Sequence, residues 1–176
     1  MLRERYFIDS VKQSDLQNIE KISRDCRLSF WTIDDYYEEY IRADTYSLVC
    51  KSQNSDYIIG FMIARLIMSN ISVPPNKLGD ITISPVIYNE TEILQFAVET
   101  KFQNNRIGQT LFNEYKNFCM QNQIKMIWLE VRISNHKAQN FYYKNGFKVI
   151  NTRKNYYQNP AEDALIMNLN LTPELN

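Results

Sequence analysis

The sequence predicts an α/β fold in which buried strands alternate with helices. Three observations in residues 94–147 carry this prediction. A short apolar run that ends at Val98 has the length of a buried strand. Apolar residues then recur at helical spacing from Ile107 to Phe118, as in an amphipathic helix. A second strand and a second helix follow before Gly146, so this order predicts two neighbouring parallel strands joined by a right-handed crossover.

The N-terminal part of the chain predicts one strand and one helix. Residues 6–8 have the composition of a first strand. Ser14 and Asp15 are expected to cap a helix that ends near Cys26. The face that this helix buries carries three apolar residues at helical spacing: Leu16, Ile19 and Ile22.

A second helix is predicted from Thr32 to about Ile41, because Thr32 and Asp35 form an approximate capping box. The helix is rich in acids, with like charges four residues apart that repel one another: Asp34, Asp35, Glu38 and Glu39. Two interpretations remain open. The acids form a solvated face near the positive end of the helix dipole, or they form a rim that attracts a cationic peptide N-terminus.

Residues 46–51 and 57–68 predict two paired strands separated by a polar turn. Gly60 lies inside the second strand, where a glycine often marks a bulge or the close approach of another backbone. The next segment, 69–90, is interpreted as an extended excursion of the sheet with a short strand at 81–83. No chemistry is assigned to it.

The loop before the core helix predicts an anion site. Residues 99–105 are a polar break, and the helix that follows runs to about Asn122. A strand, a loop containing Gly108 and a helix N-terminus leave backbone N–H groups without partners. Such a site attracts phosphate.

Residues 124–132 predict a strand in which Glu130 interrupts an apolar run. Strand alternation places four side chains on one side: Met126, Trp128, Glu130 and Arg132. The next helix opens at Asn135, carries Tyr142 on the same face and stops at Gly146. Residues 147–153 and 164–171 then predict two closing antiparallel strands. Residues 155–160 form the loop between them, and the tail 172–176 is expected to be frayed.

Composition indicates one globular domain, residues 1–176, with 44% hydrophobic and 13% aromatic residues. Lys plus Arg equals Asp plus Glu at 20 each, so no net field favours direct binding of nucleic acid or membrane. The three cysteines are far apart and lack a C-x-x-C pattern, which favours a reducing compartment. The N-terminus has no secretory signal pattern, and the most apolar stretch, 58–68, is too short to span a bilayer. We expect a cytoplasmic protein, with an organelle stroma as the alternative.

Several motifs in fixed order give a resemblance to a known family. They are the loop QNNRIG from Gln103, the segment LEVRISNHKAQNFYYKNGF from Leu129, and RKNYY followed by EDALIM near the C-terminus. Together they resemble the GNAT superfamily of acetyl-CoA-dependent N-acetyltransferases, and within it the bacterial ribosomal-protein-alanine N-acetyltransferases. The resemblance implies a GNAT fold. In that fold a mixed, strongly twisted sheet splays beside Val98 and Trp128 and carries helices on both faces.

The resemblance also implies acetyl-CoA as co-substrate, without a metal. Arg106 stands where the family's pyrophosphate loop has its first glycine, so we expect φ below zero there and a guanidinium that folds onto a phosphate. The cofactor contacts are expected from a strand edge, the loop amides and the start of the second helix: Phe96, Ala97, Val98, Gln103, Asn104, Asn105, Arg106, Ile107, Gly108, Gln109 and Asn135.

Two residues are candidates for proton transfer. An acceptor amine must lose a proton before it attacks the thioester, and Glu130 is the candidate base. Coenzyme A leaves as a thiolate, and Tyr142 is the candidate acid that protonates it. The alternatives are a structural ion pair of Glu130 with Arg132 or Arg153, and a packed aromatic for Tyr142.

By resemblance, the acceptor is the α-amine of a protein N-terminus, with a ribosomal protein beginning in alanine as the leading candidate. Direct attack in a ternary complex is expected. Four aromatic residues are expected to line the acceptor groove: Phe30, Trp31, Tyr156 and Tyr157. Trp31 could instead staple its helix to the core. The alternatives are a lysine or small-molecule amine as acceptor, or a non-catalytic acyl-CoA-binding module. The expected oligomeric state is a monomer or weak homodimer.

Overall fold

The computed structural model describes residues 5–28, 31–53, 55–68 and 88–172. The predictions for Phe30, for the strand at 81–83 and for the tail beyond Thr172 lie outside these ranges. The described elements in chain order are β1 (Tyr6–Ser10), α1 (Leu16–Asp25), α2 (Ile33–Ile41), β2 (Thr45–Ser52), β3 (Ile58–Met68), β4 (Tyr88–Val98), α3 (Ile107–Gln121), β5 (Met126–Arg132), α4 (His136–Lys144), β6 (Lys148–Gln158) and β7 (Ala161–Asn170).

The strands form one seven-stranded sheet in the order β1-β2-β3-β4-β5-β7-β6. The central pair, β4 and β5, is parallel, and the other five pairs are antiparallel. The predicted parallel neighbours and the antiparallel closing pair are therefore confirmed. The last strand, β7, inserts between β5 and β6, which places β6 at the sheet edge.

Helices cover both faces of the sheet, as the resemblance implied. Successive residues of β3 point to opposite faces, so Phe61 belongs to one buried cluster and Met62 to the other. The α1 and α2 side chains pack on the first face, in a cluster with Leu16, Ile19, Ile22, Tyr36 and Phe61. The larger cluster, on the second face, holds α3 and α4 through Ile107, Leu111, Tyr115 and Tyr142. The sheet is thus the middle layer of three.

The predicted ends of α2 and α4 are confirmed by their hydrogen bonds. The Thr32 N–H donates to Asp35 Oδ2 at 2.6 Å, and the Asp35 N–H donates to Thr32 Oγ1 at 3.4 Å, which completes the capping box. Gly146 follows α4 with φ of +91°. The N–H groups of Gly146 and Phe147 donate to the Tyr143 and Tyr142 carbonyls, both at 3.0 Å, as in a Schellman motif.

The predicted cap of α1 is wrong. Asp15 precedes the helix but makes no side-chain cap hydrogen bond. Its buried carboxylate instead accepts the Lys12 N–H and the Lys51 ammonium, both at 2.9 Å. Because Lys51 is also buried, each charge offsets the desolvation of the other, and Asp15 ties α1 to β2.

Two strands are longer than predicted. The polar residues from Tyr88 belong to β4, because the strand pairs with β3 on one edge and β5 on the other. Likewise β6 continues to Gln158, so Tyr156 and Tyr157 lie on a strand and not in the predicted loop. Backbone pairing on a sheet therefore overrides the polar character of both segments.

Close approach of two backbones explains Gly60. It pairs with Val98, and a Cβ added to Gly60 would lie 2.8 Å from the Ala97 carbonyl oxygen. The prediction of a close approach is confirmed. The contact fixes the last residues of β4, which border the site described next.

Candidate active site

The two central strands separate within the sheet. β4 and β5 pair from Glu90 opposite Met126 to Ile93 opposite Leu129. Beyond that point β4 continues to Val98 and β5 to Arg132 without pairing to each other. The expected splay is confirmed. It begins after Leu129, one residue later than predicted, because Trp128 still pairs with Glu92.

A cavity of about 740 Å³, here called the split cavity, lies where the strands separate. Nine of the predicted cofactor residues line it: Phe96, Ala97, Val98, Gln103, Asn104, Arg106, Gly108, Gln109 and Asn135. The other two, Asn105 and Ile107, do not. The Asn105 side chain turns to the Phe102 and Gln103 carbonyls, and the Ile107 side chain is buried in the core.

The N-terminus of α3 presents free backbone N–H donors. In the described ranges, the N–H groups of residues 104–109 find no acceptor, whereas the next N–H, of Thr110, donates to the Arg106 carbonyl at 2.9 Å. A helix N-terminus leaves its first donors unpaired. These donors, together with the positive end of the helix dipole, suit an anion such as a phosphate.

The backbone of this loop corrects one prediction. Arg106 has φ of +63°, in the left-handed region, and Asn104 has φ of +65°. The expected φ below zero at Arg106 is wrong. Arg106 adopts the left-handed conformation despite its Cβ, at a cost of about 1–2 kcal/mol.

Charged side chains around the split cavity are mostly cationic. Four cationic residues of the described part of the chain line it, Arg27, Arg106, Lys137 and Lys144, against one described acid, Asp25. Lys137 is held beside the loop, because its ammonium donates to the Gln103 side chain, whose own amide donates to the Val98 carbonyl at 2.7 Å. This charge balance favours a polyanionic ligand such as the phosphates of coenzyme A.

Gly108 provides room in the split cavity. A Cβ added there would lie 3.6 Å from the Phe96 ring, at ordinary van der Waals distance. The protein itself therefore does not require glycine at this position, and the space that the missing side chain leaves faces the cavity.

Glu130 is the first residue of β5 that no longer pairs with β4, although it still pairs with Ile166 of β7. Its side chain is on the predicted side of the strand and is partly buried. Arg153 Nη1 donates to Glu130 Oε1 at 2.9 Å, so the carboxylate is not free. The ion-pair alternative is thus present for Arg153, whereas Arg132 pairs with Glu162 at 2.7 Å.

Tyr142 lies on the wall of the split cavity and is only 7% exposed. Burial raises the pKa of its phenol, so the hydroxyl holds its proton throughout the neutral range. Its neighbour Tyr143 is 48% exposed, which agrees with the choice of Tyr142 from helical spacing. Asn135 caps α4 as predicted, because its Oδ1 accepts the Ala138 N–H at 3.1 Å.

The predicted acceptor residues lie in two places. Trp31 is half-buried and packs edge-on against Tyr36, with ring centroids 5.2 Å apart, as in the staple interpretation. Tyr156 and Tyr157 lie on β6 beside Glu130. The Arg153 guanidinium stacks 4.3 Å above the Tyr156 ring, and that of Arg132 stacks 4.0 Å above the Tyr157 ring.

Sequence reasoning missed Glu92. It lies opposite Trp128, is half-buried, and has a pKa raised first by burial and then by the negative charge of Glu130. The two carboxyls therefore share one side of the split. Among the described residues, no group of three or more His, Cys, Asp or Glu is placed to hold a metal ion. In the same ranges, no helix is long and apolar enough to cross a membrane.

Residues 16–147 match the sequence profile of the Acetyltransferase (GNAT) family. A protein of Bacillus subtilis (strain 168), provisionally named a ribosomal protein bS18-alanine N-acetyltransferase, is 25% identical over 166 residues. That alignment spans 94% of this chain and 96% of the relative.

Solved structures with the same fold cover nearly the whole chain. The ribosomal-protein-S18-alanine N-acetyltransferase from Escherichia coli superposes with a TM-score of 0.75 at 22% identity, over 98% of this chain and 99% of that one. Arabidopsis thaliana NAA60 in complex with acetyl-CoA gives a TM-score of 0.77 at 18% identity, over 95% and 99% of the two chains. At these identities the likeness shows the fold alone.

Proposed function

The chain belongs to the acetyltransferase (GNAT) family, and on that premise we propose that it acetylates the N-terminal α-amine of a protein, with acetyl-CoA as donor. A ribosomal protein that begins with alanine is the leading acceptor, since the similar proteins from B. subtilis and E. coli carry that substrate in their names. The observation that carries the proposal is the split between β4 and β5. Glu130 is the first residue of β5 that does not pair with β4, and Tyr142 lies on the wall of the split cavity.

The donor is proposed to bind in the split cavity. Acetyl-CoA supplies an activated thioester. The free N–H groups of residues 104–109 would bind its phosphates, helped by Arg106 and Lys137. The unpaired edge of Phe96, Ala97 and Val98 would hydrogen-bond its amide-containing arm in the manner of an added strand.

Glu130 is proposed as the base and Tyr142 as the acid. An N-terminal α-amine has a reference pKa of about 8 and is largely an ammonium at neutral pH, so a carboxylate must accept its proton, directly or through one water. Tyr142, whose raised pKa keeps it protonated, would donate its proton to the departing thiolate. Acetyl passes directly to the amine, without a covalent enzyme intermediate.

The acceptor peptide is proposed to lie along Trp31, Tyr156 and Tyr157, whereas the prediction for Phe30 lies outside the described residues. Partly buried carboxyls at Glu130 and Glu92 make this end of the split attractive to an ammonium. The wider proposal is a cytoplasmic enzyme that acts as a monomer or weak homodimer. Its three free cysteines fit a reducing compartment.

The test is release of free coenzyme A, measured by thiol assay, with peptides that differ only in the first residue. We expect turnover for peptides that begin with Ala or Ser and none for the same peptides with a blocked N-terminus. Turnover confined to internal lysines or small amines would overturn the α-amine acceptor. Tight acetyl-CoA binding without any turnover would indicate a binding module instead.

A further inference from the structure

A β-bulge interrupts the pairing of β6 with β7. Arg153 lies opposite Ala164 and Tyr157 lies opposite Glu162, so residues 154–156 of β6 face the single residue Asp163 of β7. Asn155, in the middle of the bulge, has φ of +51°. Asparagine is one of the few side chains that adopt this left-handed conformation readily.

Asp163 holds the bulge by a bond to its backbone, and its second carboxylate oxygen contacts an exposed side chain. Its Oδ1 accepts the Asn155 N–H at 2.9 Å, and its Oδ2 accepts the Lys154 ammonium at 2.7 Å. These partners, the ammonium first, lower the pKa of Asp163, so the carboxylate is charged throughout the neutral range. The bulge removes the Asn155 N–H from the ladder of hydrogen bonds between β6 and β7, and Asp163 Oδ1 provides an acceptor for it instead.

The bulge changes which side chains of β6 reach Glu130. In a regular strand, Tyr156 and Tyr157 would point to opposite faces. Here both lie near Glu130: the Tyr157 hydroxyl donates to its carbonyl at 3.5 Å, and the pKa of Tyr156 is raised first by burial and then by the Glu130 carboxyl. Arg153 donates to the same carboxyl at 2.9 Å and stacks on Tyr156.

We propose that Asp163 is a positioning residue, which acts through the bulge to deliver Arg153 and Tyr156 to the carboxylate of Glu130. Four ionisable groups face that carboxylate: Glu92 from β4, and Arg153, Tyr156 and Tyr157 from β6. Glu92 repels the charge, whereas Arg153 attracts it and fixes one oxygen. The bulge thus keeps the carboxylate oriented. This inference rests on Glu130 being the base of the proposed reaction.

The test compares Asp163→Ala with Asp163→Asn, since only the asparagine keeps an oxygen that can accept the Asn155 N–H. For Asp163→Ala we expect kcat to fall on the order of 10- to 100-fold, because a displaced catalytic group loses that much. The KM for acetyl-CoA stays unchanged, and Asp163→Asn retains most of the activity. Lys154→Met is the matched control: it removes the exposed ammonium, leaves the backbone bond and keeps kcat.

Arg153 gives a second, fold-neutral test, because its side chain is 57% exposed. Arg153→Met removes the donor that fixes one oxygen of Glu130, so kcat falls on the order of 10-fold while the KM for acetyl-CoA stays unchanged, and Arg153→Lys retains more of the activity. The double variant Asp163→Ala with Arg153→Met loses less than the product of the two single losses, because both act on one carboxylate. An unchanged kcat in Arg153→Met, or independent losses in the double variant, would overturn the inference.

Two outcomes distinguish failure of this inference from failure of the proposed function on which it rests. If Glu130→Gln keeps full activity, the assignment of the base fails, and the inference fails with it. If Glu130→Gln is inactive but Asp163→Ala and Arg153→Met keep the wild-type rate and pH profile, only the inference fails. NMR provides a readout that needs no turnover: hindered rotation of the Arg153 guanidinium should be lost in both Glu130→Gln and Asp163→Ala.

Discussion

The split between β4 and β5 has a proposed cofactor half and a proposed acceptor half, and the two differ in the kind of group that would bind the ligand. On the proposed cofactor half, from the end of β4 to the start of α3, the candidate binding groups are main-chain: six successive N–H groups that find no acceptor among the described residues, and one strand edge that does not pair with β5. On the acceptor half, from β5 to β7, they are side chains tied by ion pairs and stacking, centred on Glu130. Main-chain donors persist when side chains change, whereas a carboxylate and its partners do not.

This difference predicts where substitutions will matter. The cofactor half should tolerate changes of chemistry and fail only when its space is filled. In the acceptor half, replacing one functional atom of a side chain should be enough to lower kcat strongly.

The largest effect is expected for Glu130→Gln. The amide keeps the shape of the side chain but cannot accept the proton of the acceptor amine, so kcat should fall by about 10²- to 10⁴-fold. Isothermal titration should give an acetyl-CoA affinity equal to that of the parent. A tenfold weaker affinity would mean that the two halves are not separate.

Tyr142→Phe should come next, with a fall in kcat of about 10²-fold, the lower end for a general acid. Tyr142 belongs to both halves, because it lines the split cavity and is the proposed acid for proton transfer. Since burial raises its pKa, Tyr142 should not cause a loss of rate on the basic side at any pH below about 10. A basic limb near pH 8 that disappears in Tyr142→Phe would contradict this assignment.

The halves also differ in how far the sequence could predict them. The cofactor half follows from local patterns: a strand, a polar loop, and helical spacing from Ile107. Eight of the nine predicted residues that line the cavity lie within these patterns, and Asn135 opens the next predicted helix. The sign of φ at Arg106 was not predictable, because a side chain normally disfavours the conformation that this tight turn imposes.

The acceptor half depends on pairing between distant segments. Glu130 and Tyr156 were found through motifs, but their contact depends on the register of β6 against β7 and on one positive φ at Asn155. No local pattern displays either feature. Glu92 was missed because the residues before Ile93 are polar, and only pairing on both edges makes them a strand.

Filling the split cavity should affect binding alone. Gly108→Val adds two methyl groups on the cavity wall, beyond a Cβ position that already contacts the side chains of Phe96, Val98 and Phe141, and overpacking of the occupied cavity would cost about 1–3 kcal/mol of binding free energy. We therefore expect the KM for acetyl-CoA to rise by about tenfold, with kcat at saturation and thermal stability little changed. Gly108→Ala is the matched control, because its single methyl group fits at van der Waals distance and should raise KM much less. An equal rise in both variants would mean that the fit of the cavity is not what limits binding.

The smallest effect is expected for Arg106→Gly, which restores the glycine that the family's pyrophosphate loop has at this position. Removing the Cβ relieves about 1–2 kcal/mol of left-handed strain, and the added flexibility of the unfolded chain takes back about 0.5–1 kcal/mol. The net change in the free energy of unfolding should be a gain of about 0 to 1.5 kcal/mol, measured by urea denaturation. If the main-chain N–H groups bind the phosphates, the KM for acetyl-CoA should change by less than about threefold, since the loss of one exposed cation is worth little in water. A tenfold increase would instead assign phosphate binding to the Arg106 guanidinium. The cofactor half would then depend on a side chain, as the acceptor half does.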